Sequence, residues 1–78
     1  YPGMSRLPQL KARDIIRALI VLGFEFRRQK GSHAFYQHPV TGCSTVIPIH
    51  GGEDIDRSLL QAILKEAGIT PEEFLWTL

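Results

Sequence analysis

The chain has 78 residues, a mass of 8.8 kDa and a formal net charge of +1 at pH 7. Its 44% hydrophobic and 22% charged residues are typical of a folded domain and exclude a disordered polyelectrolyte. No apolar run reaches the roughly 20 residues that a bilayer-spanning helix needs, and no signal-peptide pattern is present, so we expect a cytoplasmic protein without a membrane partner. The single cysteine, Cys43, excludes an internal disulfide and a cysteine-based zinc site within one chain.

Size and charge also bear on domain organisation and on partners. We expect residues 4–78 to form one small domain, and the three residues before Met4, Tyr1-Pro2-Gly3, to be a cloning remnant. Residues 1–50 carry a net charge of +5, whereas residues 51–78 carry −4. The basic part favours a polyanionic partner such as nucleic acid.

Helical patterns occur in both parts of the sequence. Apolar residues recur at helical spacing from about residue 11 to residue 22, and Gly23 stands where a left-handed cap residue is expected. A second helix is predicted to begin after Asp56 and to end at Gly68. Thr70-Pro71-Glu72-Glu73 predicts the start of a short third helix. The apolar residues assigned to the three helices are Ile15, Ile16, Leu19, Ile20, Leu22, Leu59, Leu60, Ile63, Leu64, Ala67, Phe74 and Leu75.

Between the helices the sequence predicts three strands. Phe24-Glu25-Phe26-Arg27 alternates apolar and polar residues, which places both phenylalanines on one face. After a connection at Gln29-Lys30-Gly31, residues 32–38 and 43–49 form the second and third strands. Pro48 has no amide hydrogen to donate and is therefore expected at a strand end or an edge. Residues 51–54 are expected to form a loop.

The predicted fold class is therefore α+β, in the order α-β-β-β-α with a short C-terminal helical turn. The three strands are expected to form an antiparallel sheet, with the two helices covering one of its faces. Cys43 and Trp76 are expected to be packing residues, because neither has neighbours that indicate reactivity or base stacking.

The segment Arg27-Arg28-Gln29-Lys30-Gly31-Ser32-His33 is the strongest candidate for a functional site. Gly31 permits a tight turn, and histidine, at His33, is the side chain that exchanges protons near neutrality. Cations beside a general base suit a polyanionic substrate, because they hold a phosphate and offset charge that develops on it. The alternative is a solvated hairpin with an incidental histidine.

The cations of this segment are expected to bind a phosphate backbone. Lys30 is nearest to His33 in sequence, followed by Arg28 and then Arg27, and strand alternation is expected to point the two arginines to opposite faces. Ser32 is expected to hydrogen-bond to the turn or to the substrate.

The remaining polar residues allow three further interpretations. His50, at the rim of the predicted sheet, is a candidate second acid–base or phosphate-binding group. A zinc ion on His33, His38 and His50 is disfavoured, because strand residues 33 and 38 differ by an odd number and face opposite sides. A nucleophilic pair of Ser32 and His33 is disfavoured because adjacent strand side chains diverge.

Four blocks of the sequence resemble the HicA (YcfA-like) toxins, in the same order and at the same spacing. They are Leu22-Gly23-Phe24, Arg28-Gln29-Lys30-Gly31-Ser32-His33, Pro48-Ile49-His50-Gly51 and Ile63-Leu64-Lys65-Glu66-Ala67-Gly68. The resemblance covers about residues 10–75. The loop after His50 departs from it, because residues 52–56 are more acidic here than the basic segment of many members.

The resemblance implies a double-stranded-RNA-binding-like fold and the toxin of a type II toxin–antitoxin system. It further implies an mRNA interferase, an endoribonuclease that cleaves mRNA and blocks translation, paired with a HicB-like antitoxin that binds and silences it. The family's catalytic histidine falls on His33. With the 2′-hydroxyl of RNA as nucleophile, the expected enzyme needs no metal or other cofactor, and we expect no DNA contact by this chain alone.

The competing interpretation is a non-catalytic RNA-binding module of the same fold, which would keep the basic hairpin but would not need His33. For the antitoxin, we expect acidic groups to meet Arg27, Arg28 and Lys30, with affinity from buried apolar contacts. Tyr36 is a candidate anchor if it faces outward.

Overall fold

The computed structural model describes residues 7–49, 52 and 54–78. The expected cloning remnant, as well as His50, Gly51 and Glu53, lie outside the described residues. The elements in chain order are β1 (Leu10–Lys11), α1 (Ala12–Val21), β2 (Glu25–Lys30), β3 (His33–Gln37), β4 (Ser44–Pro48), β5 (Asp54–Ile55), α2 (Arg57–Ala67) and α3 (Pro71–Trp76). The α+β class and the α-β-β-β-α order of the main elements are therefore confirmed.

Helix α1 ends where the sequence predicts, and it does so through backbone bonds at a glycine. Gly23 has a φ of +100°, its amide donates to the carbonyl of Ile20 at 3.0 Å, and the Phe24 amide donates to the carbonyl of Leu19 at 2.9 Å. These two bonds form a Schellman motif, which needs a left-handed residue that glycine adopts without strain. The reversal brings Phe24 back against the core, where it is buried.

Strands β2, β3 and β4 form an antiparallel sheet in the order β2-β3-β4. One face packs against the helices. Its residues on β3 and β4 are Ala34, Tyr36, Thr45 and Ile47, all of which are buried. The opposite face is called here the open face; its residues, assigned by cross-strand pairing, are Glu25, Arg28, Lys30, His33, Phe35, Gln37, Ser44, Val46 and Pro48. Pro48 ends the edge strand β4, as predicted.

Strand β2 departs from the prediction in length and in regularity. It continues to Lys30, so the connection to β3 is only Gly31-Ser32, and the expected turn at Gln29-Lys30 is wrong. Between the pairs Phe26↔Tyr36 and Arg28↔Phe35 the register shifts by one residue, which leaves Arg27 as the extra residue of a β-bulge. A bulge interrupts strict alternation, so the expectation based on alternation does not hold at this position.

The two phenylalanines that the sequence places on one face of the first strand have different environments. Phe24 precedes β2 and is buried, whereas Phe26 is 53% exposed at the outer edge of the sheet. Phe26 packs edge-to-face on the ring of Tyr36, with 5.6 Å between ring centroids. An edge strand has no neighbour on its outer side to cover such a ring.

Helices α2 and α3 begin at the predicted caps. Asp56 accepts a hydrogen bond from the Ser58 amide at 3.0 Å, and Thr70 and Glu73 form the predicted capping box. Helix α2 ends at Gly68, which has a φ of +73°. Together with α1, these helices build one hydrophobic cluster on the sheet, whose largest fully buried side chains are Phe74, Ile15, Leu19, Ile47, Leu60, Ile63 and Leu64.

Three apolar residues assigned to packing are instead exposed. Trp76 is 89% exposed, because the short helix α3 turns only Phe74 fully into the core. Ile20 is 57% exposed and Leu59 is 40% exposed, each at the margin of its helix's buried face. Cys43 does pack against the core, as predicted.

A second, two-stranded sheet was not predicted. β1 and β5 pair antiparallel, with Leu10 opposite Ile55 and Lys11 opposite Asp54, so the expected loop ends before Asp54. The Lys11 ammonium donates to Asp54 Oδ1 at 3.2 Å and to the Gly52 carbonyl at 2.7 Å. Within the described ranges, no helix has the length and apolar character needed to cross a membrane.

Candidate active site

The hairpin turn between β2 and β3 positions the candidate site. Gly31 has a φ of +60°, while no described residue other than glycine has a positive φ, a combination typical of a type II′ hairpin turn. The Gln29 side-chain amide donates to the Gly31 carbonyl at 3.0 Å. The Ser32 carbonyl accepts from the Ile49 amide at 2.6 Å, which ties the turn to the end of β4. Gly31 is thus the first residue of the two-residue connection between β2 and β3.

This turn places Lys30 directly opposite His33. The two residues are cross-strand partners, and Pro48 is the partner of His33 on its other side. Lys30 and His33 are both exposed on the open face. An imidazole beside an ammonium, both accessible to solvent, is an arrangement that can hold a phosphate next to a proton acceptor.

A second row of side chains crosses the open face beside the first. Arg28, Phe35 and Val46 are successive cross-strand partners on β2, β3 and β4. The Arg28 guanidinium carbon lies 4.7 Å from the centroid of the Phe35 ring. Arg28 and Lys30 therefore lie on the same face, in adjacent rows.

The bulge changes the direction of Arg27. Its guanidinium lies 3.5 Å from the carboxylate of Glu25, whose cross-strand partner is the open-face residue Gln37. The bulge removes the strict alternation on which the opposite directions of the two arginines were predicted. The structure thus brings Arg28 and Lys30 to one face with His33, whereas Arg27 forms an ion pair with Glu25.

A groove opens beside His33 on the side away from these cations. It has a volume of about 890 Å³ and is lined by His33 and by residues of β4, β5 and helix α2. The apolar side chains that line it are Val46, Pro48, Ile55, Leu59, Ala62 and Ile63, and its charged residues are Asp54, Asp56, Lys65 and Glu66. His33 therefore lies between two different surfaces. On one side is the basic strip of Arg27, Arg28 and Lys30, and on the other is a largely apolar groove with more carboxylates than cations.

His38, a member of the disfavoured zinc set, has a structural role. Its Nδ1 accepts from the amides of Val40 and Thr41 at 3.1 and 3.3 Å, and its ring packs edge-to-face on Phe24 at 5.2 Å. A Cβ added at Gly23 would lie 2.7 Å from His38 Nε2. Across the described ranges, no three His, Cys, Asp or Glu side chains form a group that could hold a metal ion. His50, the remaining candidate, is outside the described residues.

Tyr36 does not face outward, so its expected role as a partner anchor is wrong. Its side chain belongs to the helix-facing side of β3 and is 7% exposed. Burial raises the pKa of the Tyr36 phenol above its ordinary value of 10.0, because desolvation disfavours the phenolate.

Comparison with known proteins agrees with the resemblance of the four sequence blocks. A family model described as "HicA toxin of bacterial toxin-antitoxin" matches residues 12–69. The chain belongs to the HicA toxin family. A relative named "Probable mRNA interferase HicA", from Pseudomonas fluorescens (strain Pf0-1), is 35% identical over 60 residues, which are 77% of this chain and 97% of the relative. The segment matched to the HicA model includes the whole hairpin that carries His33.

Phe35, Val46 and the α2 side of the groove were not predicted as site residues. Period-two alternation counted from His33 would have put Phe35 on the same face, and this signal was present in the sequence. The neighbourhood of Val46, Leu59 and Ala62 depends on how α2 crosses the sheet, and a local pattern does not contain that information.

Proposed function

We propose that this protein is the toxin of a type II toxin–antitoxin system and acts as a metal-independent mRNA interferase on single-stranded RNA. The observation that carries the proposal is the direct pairing of Lys30 with His33 on the open face, in a chain of the HicA family. The proposal includes a cytoplasmic location and a double-stranded-RNA-binding-like arrangement of the α-β-β-β-α elements.

His33 is proposed as the general base. Its neutral imidazole removes the proton of a ribose 2′-hydroxyl, and the resulting alkoxide attacks the adjacent phosphorus. The bond from phosphorus to the 5′-oxygen breaks, which gives a 2′,3′-cyclic phosphate and, after protonation of the leaving oxygen by water or a general acid, a 5′-hydroxyl. General acid–base catalysis of this kind contributes about 10²- to 10⁴-fold.

The cations have graded roles in this proposal. Lys30 is closest to His33 and offsets the charge that develops on the scissile phosphate. Arg28 and Arg27 extend the basic strip along the bulged strand, with Arg27 contributing less because Glu25 competes for its guanidinium. Ser32 holds the turn through its carbonyl, and His50 remains a proposed second acid–base or phosphate-binding group.

The proposed partner is a HicB-like antitoxin that blocks RNA access to His33. The groove opens onto His33, so a partner that inserts apolar side chains there would cover the imidazole. Acidic groups of the same partner would meet the basic strip of Arg27, Arg28 and Lys30, which speeds encounter and fixes orientation. A partner that inhibits by covering His33 leaves the toxin folded.

Cleavage of a long unstructured RNA in excess chelator tests the catalytic proposal. We expect wild type to cut, and His33→Gln, which keeps a polar side chain of similar size but exchanges no proton near neutrality, to lose at least about 10²-fold in rate. Arg17→Ala on α1 is the control for removal of an exposed cation outside the site, and it should cut like wild type. The products should carry 2′,3′-cyclic phosphate and 5′-hydroxyl ends.

Two outcomes would contradict the proposal. Equal cleavage by wild type and His33→Gln would remove His33 from the chemistry. Tight RNA binding by wild type without cutting, with or without added divalent metal, would favour the non-catalytic RNA-binding module.

A further inference from the structure

The contact between Arg28 and Phe35 is a feature of the open face that phosphate binding by charge alone does not require. The two residues are direct cross-strand partners, and the guanidinium carbon lies 4.7 Å from the ring centroid. At this distance the guanidinium is held over the ring by a cation–π contact. Phe35 is half-buried and Arg28 is exposed. The ring therefore supports one side of the guanidinium, and the other side of the guanidinium faces solvent.

The position of this pair relative to His33 suits one nucleotide. Phe35 is two residues along β3 from His33, on the same face, and Arg28 is likewise two residues along β2 from Lys30. Two residues along a strand span about 7 Å. A phosphate held between Lys30 and His33 would therefore place an adjoining base within reach of Arg28.

We propose that Arg28 and Phe35 form a nucleobase subsite, in which the base next to the scissile phosphate stacks on the outer side of the Arg28 guanidinium. Proteins that bind single-stranded RNA commonly stack unpaired bases on aromatic rings or on arginine planes. The planar guanidinium supports such a stack, whereas the compact lysine ammonium does not. This inference rests on the proposed function for the identity of the ligand, RNA, and gives Arg28 a role different from that of Lys30.

The subsite also separates two kinds of contact on the open face. Lys30 would hold the backbone by charge, with an affinity that falls as salt rises. Arg28 and Phe35 would hold a base by stacking, which needs the base to be present. The alternative is that the pair contacts only phosphate, or only stabilises the hairpin.

Binding to a short RNA with a 2′-O-methyl group at every ribose tests the subsite without cleavage. This RNA is compared with otherwise identical oligonucleotides, each of which lacks the base at one position. Arg28→Lys keeps the positive charge and removes the plane, and Phe35→Leu keeps an apolar side chain and removes the ring. We expect each variant to bind the intact RNA about 5- to 100-fold more weakly and to bind the matching abasic RNA as wild type does.

Two further variants calibrate the measurement. Lys30→Ala should weaken binding of the intact and abasic RNAs by the same factor, since it removes a backbone contact. Arg17→Lys, on the exposed side of α1, is the matched control for Arg28→Lys. It should bind the intact and the abasic RNAs with the affinities of wild type. Because Arg28 is exposed, its lysine variant decides the question even if Phe35→Leu does not fold.

The proposal is overturned if Arg28→Lys binds intact RNA as wild type does, or if it weakens intact and abasic RNA equally. These results are independent of catalysis, because the RNA cannot be cut. A wild-type cleavage rate in His33→Gln would refute the proposed chemistry and leave the binding result standing.

Discussion

Lys30 and His33 face each other across β2 and β3, joined by the two-residue turn Gly31-Ser32. Directly opposite residues in an antiparallel pair have Cβ atoms about 4.5–5.5 Å apart. A hairpin with so short a turn has a fixed register, so the spacing of the two side chains is set by the backbone before any substrate binds. The short hairpin thus preorganises the proposed phosphate-binding group, Lys30, beside the proposed base, His33.

Lys30→Ala should weaken RNA binding in a manner that depends on salt. Removal of one single-strand phosphate contact should reduce the slope of log affinity against log salt by about 0.7. Titration of a non-cleavable RNA at several salt concentrations measures the slope, with Arg17→Ala as the control. An unchanged slope would place Lys30 away from the backbone.

Tyr36 should make the folded state sensitive to alkaline pH. Burial raises the pKa of its phenol above 10.0, so the folded state holds this proton more tightly than the unfolded state does. The stability that this provides is fully present below about pH 10 and is lost as the pH rises through the folded-state pKa. Urea denaturation at pH 8 and pH 11 should show a smaller loss of unfolding free energy in Tyr36→Phe than in wild type. Equal losses would mean that another group causes the alkaline effect.

Leu64→Ala should destabilise the fold by about 2–5 kcal/mol, because Leu64 is 2% exposed in the core cluster. Leu59→Ala makes the same change on the same helix at a side chain that is 40% exposed. The second variant should lose clearly less unfolding free energy. Denaturation midpoints that fall by equal amounts would reject the assignment of the buried face of α2.

Antitoxin binding should protect the hairpin and the groove from hydrogen exchange. We expect slower exchange at residues 30–33 and in the groove-lining part of α2 when a HicB-like partner is bound. Protection confined to α3, with residues 30–33 exchanging as in free toxin, would reject inhibition by covering His33.

A pair of lysine substitutions on α2 tests the same model by affinity. Leu59 lines the groove, whereas Gln61 is exposed on the same helix and does not. Leu59→Lys places a charge where the partner would bury apolar groups, and it should weaken the complex while RNA cleavage is retained. Gln61→Lys should leave complex affinity unchanged, and equal affinities for the two variants would exclude the groove from the interface.

Local chemistry in the sequence was sufficient to predict the helix boundaries. Gly23 and Gly68 end helices because glycine adopts a left-handed backbone conformation without strain. Asp56 and Thr70 begin helices because their side-chain oxygens accept hydrogen bonds from free backbone amides. Alternation and one glycine were also sufficient to predict a hairpin carrying His33, although the predicted connection, Gln29-Lys30-Gly31, differs from the observed Gly31-Ser32. These signals act within a few residues of each other.

The missed features depend on residues that are distant in the sequence. The bulge at Arg27 is defined only by the pairing of β2 with β3, and β1 pairs with β5 across more than forty residues. Periodicity groups Leu59 with Leu60, and the local sequence gives no reason to expect Trp76 at the surface, but tertiary packing leaves Leu59 and Trp76 exposed. The inward direction of Tyr36 follows from the same packing.

The bulge at Arg27 has a consequence for solubility. Strand β2 is an edge of the sheet, all six of its residues are exposed, and such an edge is a template for pairing with another chain. An extra residue twists the strand and interrupts the regular spacing of its outward amides and carbonyls, while charged side chains beside it repel a second copy. The irregularity at Arg27 thereby protects the free toxin against edge-to-edge aggregation.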